Sequence, residues 1–318
     1  MAESDSTFSH FSLQSKRRRY IMEDGYCLLT DATAELSPEL AQQLDVDVIP
    51  MPLDIDGVPY QFQFFNDNFS VSDFYGQLRA GKFSHTSQVN ESVYQEYFEK
   101  YLKQGIDILY LCFSSGLSST YHAACRCMEQ LREKYPERRM TCIDSLCASA
   151  GLGLLTYTAV QKKRAGATME ELEKWALGRR QAVCHCFKVD ELDHLRRGGR
   201  ISATTAIVGS ALQIKPILVV NPEGKLQPIA KVRGRRRAME YLLNAVKKNL
   251  LDDEESETLF IGHGDDLGEA IALKKAVQAE CPHVKKVFVV PLSPIIGTHV
   301  GPGMIDILFY GKDRMCKI

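Results

Sequence analysis

Short apolar runs and amphipathic stretches follow one another along this chain at intervals that suit alternating strands and helices. Ile106-Asp107-Ile108-Leu109-Tyr110-Leu111 is apolar, carries β-branched residues and is bounded by polar ones, the pattern of a buried strand. The next stretch, 121–135, puts Cys125, Met128 and Leu131 on one helical stripe. The same rhythm predicts strands over 26–31, 45–53 and 139–145, and helices over 69–80, 91–104 and 147–164. Leu36-Ser37-Pro38-Glu39-Leu40 adds a serine cap with proline at the first helical position. Strands alternating with helices argue for a parallel sheet covered on both faces.

After a helix over 169–177 the pattern changes. Strands are predicted over 181–189, 214–220 and 226–232, the last two flanking the hairpin signal Pro222-Glu223-Gly224. Strands over 258–263, 286–290 and 304–310 mix with helices over 190–197, 235–251 and 267–280. The fold expected is therefore α/β in two domains, the first mainly parallel and the second mixed, with a division near residue 178. The expected segments are a flexible extension over 1–24, an N-terminal domain over 25–178 and a C-terminal domain over 179–318. The extension is serine-rich and ends in Lys16-Arg17-Arg18-Arg19.

Composition narrows the function classes. The chain has 318 residues, 45% hydrophobic and 25% charged, the profile of an ordinary soluble globular protein. A net charge of −1 gives no reason to expect nucleic acid or an anionic membrane surface. No run approaches the roughly 18 apolar residues of a spanning helix, and no basic segment leads into an apolar one at the N-terminus. A cytoplasmic protein is expected. The ten cysteines fall at apolar positions and lack the paired Cys-x-x-Cys spacing of a structural zinc site, so neither a metal nor another cofactor is expected.

Candidate chemistry gathers in four loops. Ser114-Ser115-Gly116-Leu117-Ser118-Ser119-Thr120 lies at the carboxyl end of one strand and the amino end of a helix, where free N–H groups and the helix dipole favour an anion. A helix cap at Ser118 or Ser119 is the plainer reading of the same residues. His85-Thr86-Ser87-Gln88 is a second hydroxyl-rich turn, Gly198-Gly199-Arg200-Ile201-Ser202 a basic loop, and Gly297-Thr298-His299-Val300-Gly301-Pro302-Gly303 a glycine-rich loop.

With Thr30-Asp31-Ala32-Thr33, Asp144-Ser145, Lys215-Pro216-Ile217 and Lys231-Val232-Arg233, these loops in this order resemble the DegV family of bacterial fatty-acid-binding proteins. The likeness extends from about residue 25 to 312, and two departures stand out. Ser119 replaces the glycine of the usual Ser-Gly-Thr turn, and Val89 replaces the proline that usually follows Gln88. The resemblance implies two α/β domains with a long-chain fatty acid between them, its acyl chain in an apolar tunnel. It also implies a carrier, not a catalyst, that presents the carboxylate to a separate, dihydroxyacetone-kinase-like fatty acid kinase subunit for acyl-phosphate formation.

The carboxylate ligands expected on that basis are Thr86 and Ser115, then Ser87 and Ser114, with His299 as a further donor. Arg200 and Arg233 are expected to contact phosphate or the partner. The energetics agree: about sixteen carbons at about 0.8 kcal/mol per methylene bring roughly 10 kcal/mol before the costs of association. The carboxylate needs several donors to offset its desolvation.

Two other classes compete. A serine hydrolase would use Ser115 as nucleophile and His299 as base, although the chain has no Gly-x-Ser-x-Gly elbow. A nucleotide or phosphosugar binder would use Gly262-His263-Gly264-Asp265-Asp266 or the 297–303 loop, without a phosphate-loop motif to support it.

Overall fold

The computed structural model describes residues 25–65, 69–202 and 213–318; the extension expected over 1–24 lies outside the described residues. The strands in chain order are β1 (Tyr26–Asp31), β2 (Asp47–Ile49), β3 (Met51–Ile55), β4 (Val58–Phe62), β5 (Ser84–Thr86), β6 (Asp107–Cys112) and β7 (Met140–Asp144). They continue as β8 (Val183–Lys188), β9 (Ile214–Val220), β10 (Leu226–Arg233), β11 (Thr258–His263), β12 (Lys286–Pro291) and β13 (Ile305–Tyr310).

The first half builds a parallel sheet in the order β2-β1-β6-β7. Its middle strands are buried nearly throughout, as strands covered on both faces must be. The stretch 45–53, expected as one strand, is two. Pro50 has no N–H to offer a ladder, and the chain changes sheets there. Before it β2 pairs with β1. After it β3 joins β4 and β5 in a small antiparallel sheet, order β4-β3-β5. The parallel sheet is thus joined by an antiparallel flap, and Thr86 ends a strand of that flap instead of lying in a turn.

The second half is a six-stranded mixed sheet, order β10-β9-β8-β13-β11-β12, in which β11 and β12 alone run parallel. The hairpin joining β9 and β10 turns at the expected Pro222-Glu223-Gly224.

Several helices start where the sequence says they should. Ser37 accepts from Leu40 N with Pro38 in the first turn, and Ser70 accepts from Asp73 N. His299 departs from expectation because it belongs to a helix, Pro294–Val300, and not to a flexible loop. Ser293 caps that helix and Pro294 opens it, the same serine-proline start as Ser37-Pro38, while Gly301 ends it at φ 73°.

Helix Ala150–Arg164 lies between the two large sheets and touches both. Glycine lets it approach: a Cβ on Gly151 would sit 2.1 Å from His185 Nε2, and one on Gly153 2.3 Å from the Ala34 carbonyl. Further ties join the halves. The buried Glu35 carboxylate accepts from the backbone N–H and hydroxyl of Ser293, and Tyr75 donates to the Leu292 carbonyl at 3.1 Å. These contacts fix helix Pro294–Val300 against the first half of the chain.

Candidate functional site

A pocket, open in part to solvent, lies where the two halves meet. Its walls are mainly apolar, with Met51 and Phe113 from the first half and Phe187, Val220 and Ile296 from the second. Such a space takes an apolar molecule and offers most of its wall to hydrocarbon.

One part of the wall is polar and cationic. Thr86 and Ser87 come from the end of β5, His299 from helix Pro294–Val300, Arg200 from the loop after helix Asp193–Arg197, and Ser118 from the turn after β6. Thr86 Oγ1 lies 2.8 Å from His299 Nε2. Thr298 Oγ1 and Ser84 Oγ lie 2.9 Å apart, so the helix and the flap are stitched at two points. The other imidazole nitrogen, Nδ1, is buried without a hydrogen-bond partner among the described residues.

Burial first, then the nearby positive charge of Arg200 and of His194 when protonated, lowers the His299 pKa to about 3. The ring is therefore neutral at pH 7. Gly198 sets its position, because a Cβ there would fall 2.2 Å from His299 Nδ1.

Arg200 supplies the charge. Its Nε donates to the Leu117 carbonyl at 3.2 Å and its guanidinium also reaches the Gly198 carbonyl. Among the described residues no carboxylate pairs with it, although it is part-buried and burial lowers its pKa. A part-buried guanidinium satisfied only by carbonyl dipoles favours an incoming anion. The same three residues, Thr86, Arg200 and His299, also line a second depression that carries the exposed residues Phe83, His85 and Arg197. The polar wall is thus shared by the two depressions.

Ser114 and Ser115 do not line the cavity. Ser114 is fully buried and donates to the Gly224 carbonyl at 2.8 Å, while its oxygen accepts from Gly116 N. Ser115 donates its hydroxyl to Asp144, which also accepts from Ser115 N at 3.0 Å. Ser118 accepts from Thr120 N at 3.2 Å, an internal bond of the turn, yet still reaches the cavity wall. Ser115 and His299, which a hydrolase would couple, are hydrogen-bonded to Asp144 and Thr86 respectively. Arg233 lies at the end of β10, exposed and outside the cavity.

The cavity holds groups that the sequence motifs did not single out: Ser149, His185 and Asp306. Ser149 precedes helix Ala150–Arg164 at φ 54°, ψ −152°, a conformation rare outside glycine, and donates to Asp306 at 2.7 Å. Gly262 N donates to the other oxygen of Asp306 at 2.6 Å. A Cβ on Gly262 would sit 2.3 Å from that oxygen, which accounts for the first glycine of the 262–266 stretch without a nucleotide. Burial raises the Asp306 pKa to about 6 against these two bonds. A lone acid inside the apolar run Met304–Tyr310 was the available signal. Among the described residues no group of His, Cys, Asp and Glu is arranged to hold a metal ion, and no helix is long and apolar enough to cross a membrane.

Two α/β lobes, one with a parallel sheet and one mixed, thus enclose an apolar cavity with a cationic, hydroxyl-bearing side. The chain belongs to the DegV family: the family model, described as an uncharacterised protein family, matches residues 27–312. A DegV domain-containing protein of Clostridium perfringens is 38% identical over 289 residues, 91% of this chain and 98% of that one. Among solved structures, a fatty-acid-binding DegV family protein from Thermus thermophilus superposes with a TM-score of 0.79 at 26% identity, covering 90% of this chain and 99% of the other. A DegV lipid-binding protein from Thermotoga maritima gives a TM-score of 0.78 at 27% identity, covering 91% and 99%.

Proposed function

We propose that this protein is a fatty-acid carrier that buries an acyl chain in the interdomain cavity and holds its carboxylate at Thr86, Ser87, Arg200 and His299. The observation that carries this reading is the part-buried Arg200 guanidinium, which has no carboxylate partner among the described residues and sits beside the Thr86–His299 pair. A carboxylate would compensate that cation and take a bond from the Thr86 hydroxyl. The apolar wall supplies affinity, since each buried methylene is worth about 0.8 kcal/mol. The solved relatives named above as lipid- or fatty-acid-binding support the same ligand class. Ser114 and Ser115 then act by shaping the turn that carries Phe113, Leu117 and Ser118 into the wall.

Presentation of the carboxylate to a separate kinase for acyl-phosphate formation is the finer part of the proposal. In support of it, the polar wall is shared with a second depression that carries exposed residues, from which a phosphoryl donor would approach the carboxylate. Arg233, exposed and outside the cavity, takes a partner contact in this reading and not the ligand. Arg233→Ala should weaken turnover by an added kinase while leaving lipid binding unchanged; equal loss of both would remove it from the docking role.

Native mass spectrometry of the purified protein, followed by solvent extraction, tests the carrier reading. A stoichiometric long-chain fatty acid is expected. An empty protein that also ignores added palmitate and oleate would overturn it.

A further inference from the structure

A second polar group lines the same cavity, on elements other than those that carry Thr86, Arg200 and His299. His185 and Phe187 stand on β8, Asp306 and Leu308 on the neighbouring β13, and the pairs His185–Leu308 and Phe187–Asp306 are directly opposite each other. Residues opposite each other, or two apart on one strand, share a face of the sheet. All four therefore face helix Ala150–Arg164, which packs on both strands and carries Ser149 just before its first turn.

The donors of this group are all in use. The Ala148 N–H donates to His185 Nε2 at 3.2 Å, so the ring carries its hydrogen on Nδ1, which donates to the Val183 carbonyl at 3.1 Å. The single hydrogen of the Ser149 hydroxyl goes to one oxygen of Asp306 at 2.7 Å, and Gly262 N donates to the other at 2.6 Å. A carboxylate has about four lone-pair positions, so about two remain on Asp306. It is only 1% exposed, and among the described residues no Lys or Arg pairs with it. Burial raises its pKa to about 6, which still leaves it mostly ionised at pH 7. What this part of the wall has left is acceptor capacity alone, on the Asp306 carboxylate and on Ser149 Oγ. A buried anion with so few donors and no counter-charge is under-satisfied.

We propose that the preferred ligand of this cavity is a hydroxy fatty acid, whose acyl chain carries a hydroxyl that donates to Asp306. The inference rests on the carrier reading above and adds a second polar contact, on the acyl chain itself. A hydroxyl is the oxygen group that fits, because it has a hydrogen to give. A keto oxygen can only accept, and would set its lone pairs against those of Asp306 and Ser149. An unsubstituted chain leaves Asp306 to a trapped water or short of a donor. Sites that hydrogen-bond a ligand hydroxyl reject the analogue without it for this reason, since a buried polar group is then left unpaired.

The test is displacement of a fluorescent fatty acid from the full chain by stearate, by stearates with one hydroxyl moved position by position along the chain, and by the matching keto acids. One hydroxylated isomer should bind about tenfold tighter than stearate, the worth of a hydrogen bond to a charged group, and its keto counterpart should bind more weakly than stearate. In Asp306→Asn the Gly262 N–H holds the remaining oxygen, so the new NH2 faces Ser149 and the site gains a donor. The preference for the hydroxyl should then fall below about threefold and the keto acid should gain. The proposal is overturned if no hydroxylated isomer binds the unaltered protein tighter than stearate, or if the keto acid binds as tightly as its hydroxy counterpart. A preference that survives Asp306→Asn in full overturns the assignment to Asp306. If neither stearate nor any derivative displaces the probe, the carrier reading itself fails, an outcome distinct from stearate binding without a preference.

Discussion

The strand end at Thr86–Ser87 and the turn at Ser114–Ser115 have the same chemistry: paired hydroxyls beside the apolar cavity at the meeting of two lobes. Their neighbours differ. Thr86 faces a neutral imidazole and lies near an Arg200 guanidinium that has no acid partner among the described residues. Ser115 faces the Asp144 carboxylate, which takes both its hydroxyl and its N–H, and Ser114 is closed off by the Gly224 carbonyl. A hydroxyl beside a carboxylate is used as a donor already, whereas Thr86 keeps its proton for an anion when His299 Nε2 carries the hydrogen of their bond. Ser149 repeats the closed arrangement inside the cavity itself, bonded to Asp306. On the proposed reading, a polar residue at the wall meets the ligand only where no internal acceptor claims it.

The closed side is tested most strongly at Asp306. Its pKa is raised from 3.8 to about 6 by burial, so between those values the folded chain binds more protons than the unfolded one. The stability that proton contributes is complete below pH 3.8 and is lost as pH rises through about 6. At about 1.36 kcal/mol per unit this amounts to roughly 3 kcal/mol. Asp306→Asn keeps a partner for both Gly262 N and Ser149 but cannot titrate. Urea unfolding of the two proteins from pH 4 to 7 should show the unaltered chain losing stability relative to the variant as pH rises. Parallel curves would mean that Asp306 is no more buried than an ordinary carboxylate.

On the open side, Arg200→Ala should weaken oleate binding about thirtyfold, roughly 2 kcal/mol for a charge-assisted bond, measured by displacement of a fluorescent fatty acid. Binding of a fatty alcohol, which brings no charge, should fall much less. An equal loss for alcohol and acid would show that Arg200 shapes the cavity and does not meet the carboxylate.

The closed turn also has a steric test. A Cβ on Gly116 would meet the Glu223 carbonyl at 2.7 Å and the Gly224 carbonyl at 2.8 Å, both backbone atoms that cannot swing aside. Gly116→Ala should therefore cost about 1–3 kcal/mol of stability by urea unfolding, the usual cost of overpacking. If it costs nothing, the β9–β10 hairpin does not press on this turn as described.

These contrasts explain what the sequence could and could not say. The α/β architecture, the hairpin at Pro222-Glu223-Gly224 and the caps at Ser37 and Ser70 follow from local periodicity and turn chemistry, which act within a few residues. Thr86, Ser87, Arg200 and His299 are legible as polar motifs, and all four line the cavity. Their separation from Ser114 and Ser115 is not legible, because it rests on Asp144 and Gly224, which lie 29 and 110 residues away in the chain. The division of 45–53 between two sheets was marked by Pro50, but the partner strands that make the break useful are set by tertiary pairing. The helix holding His299 was hidden by Gly297 and the glycines that follow it, although Ser293-Pro294 announced it.

The smallest effect is the sharpest discriminator. Ser115→Ala removes a donor from Asp144 but leaves that acid the N–H groups of Ser115 and Leu146, which lie 3.0 and 3.1 Å away. The loss should be about 1 kcal/mol of stability, the ordinary worth of one hydrogen bond. Affinity for oleate should change by less than about threefold, since the missing hydroxyl pointed at an acid and not at the cavity. If affinity instead falls as far as in Arg200→Ala, then Ser115 must exchange Asp144 for the ligand on binding. The turn after β6 would then be as open to an anion as the strand end at Thr86, and the distinction between the two regions would belong to the empty protein alone.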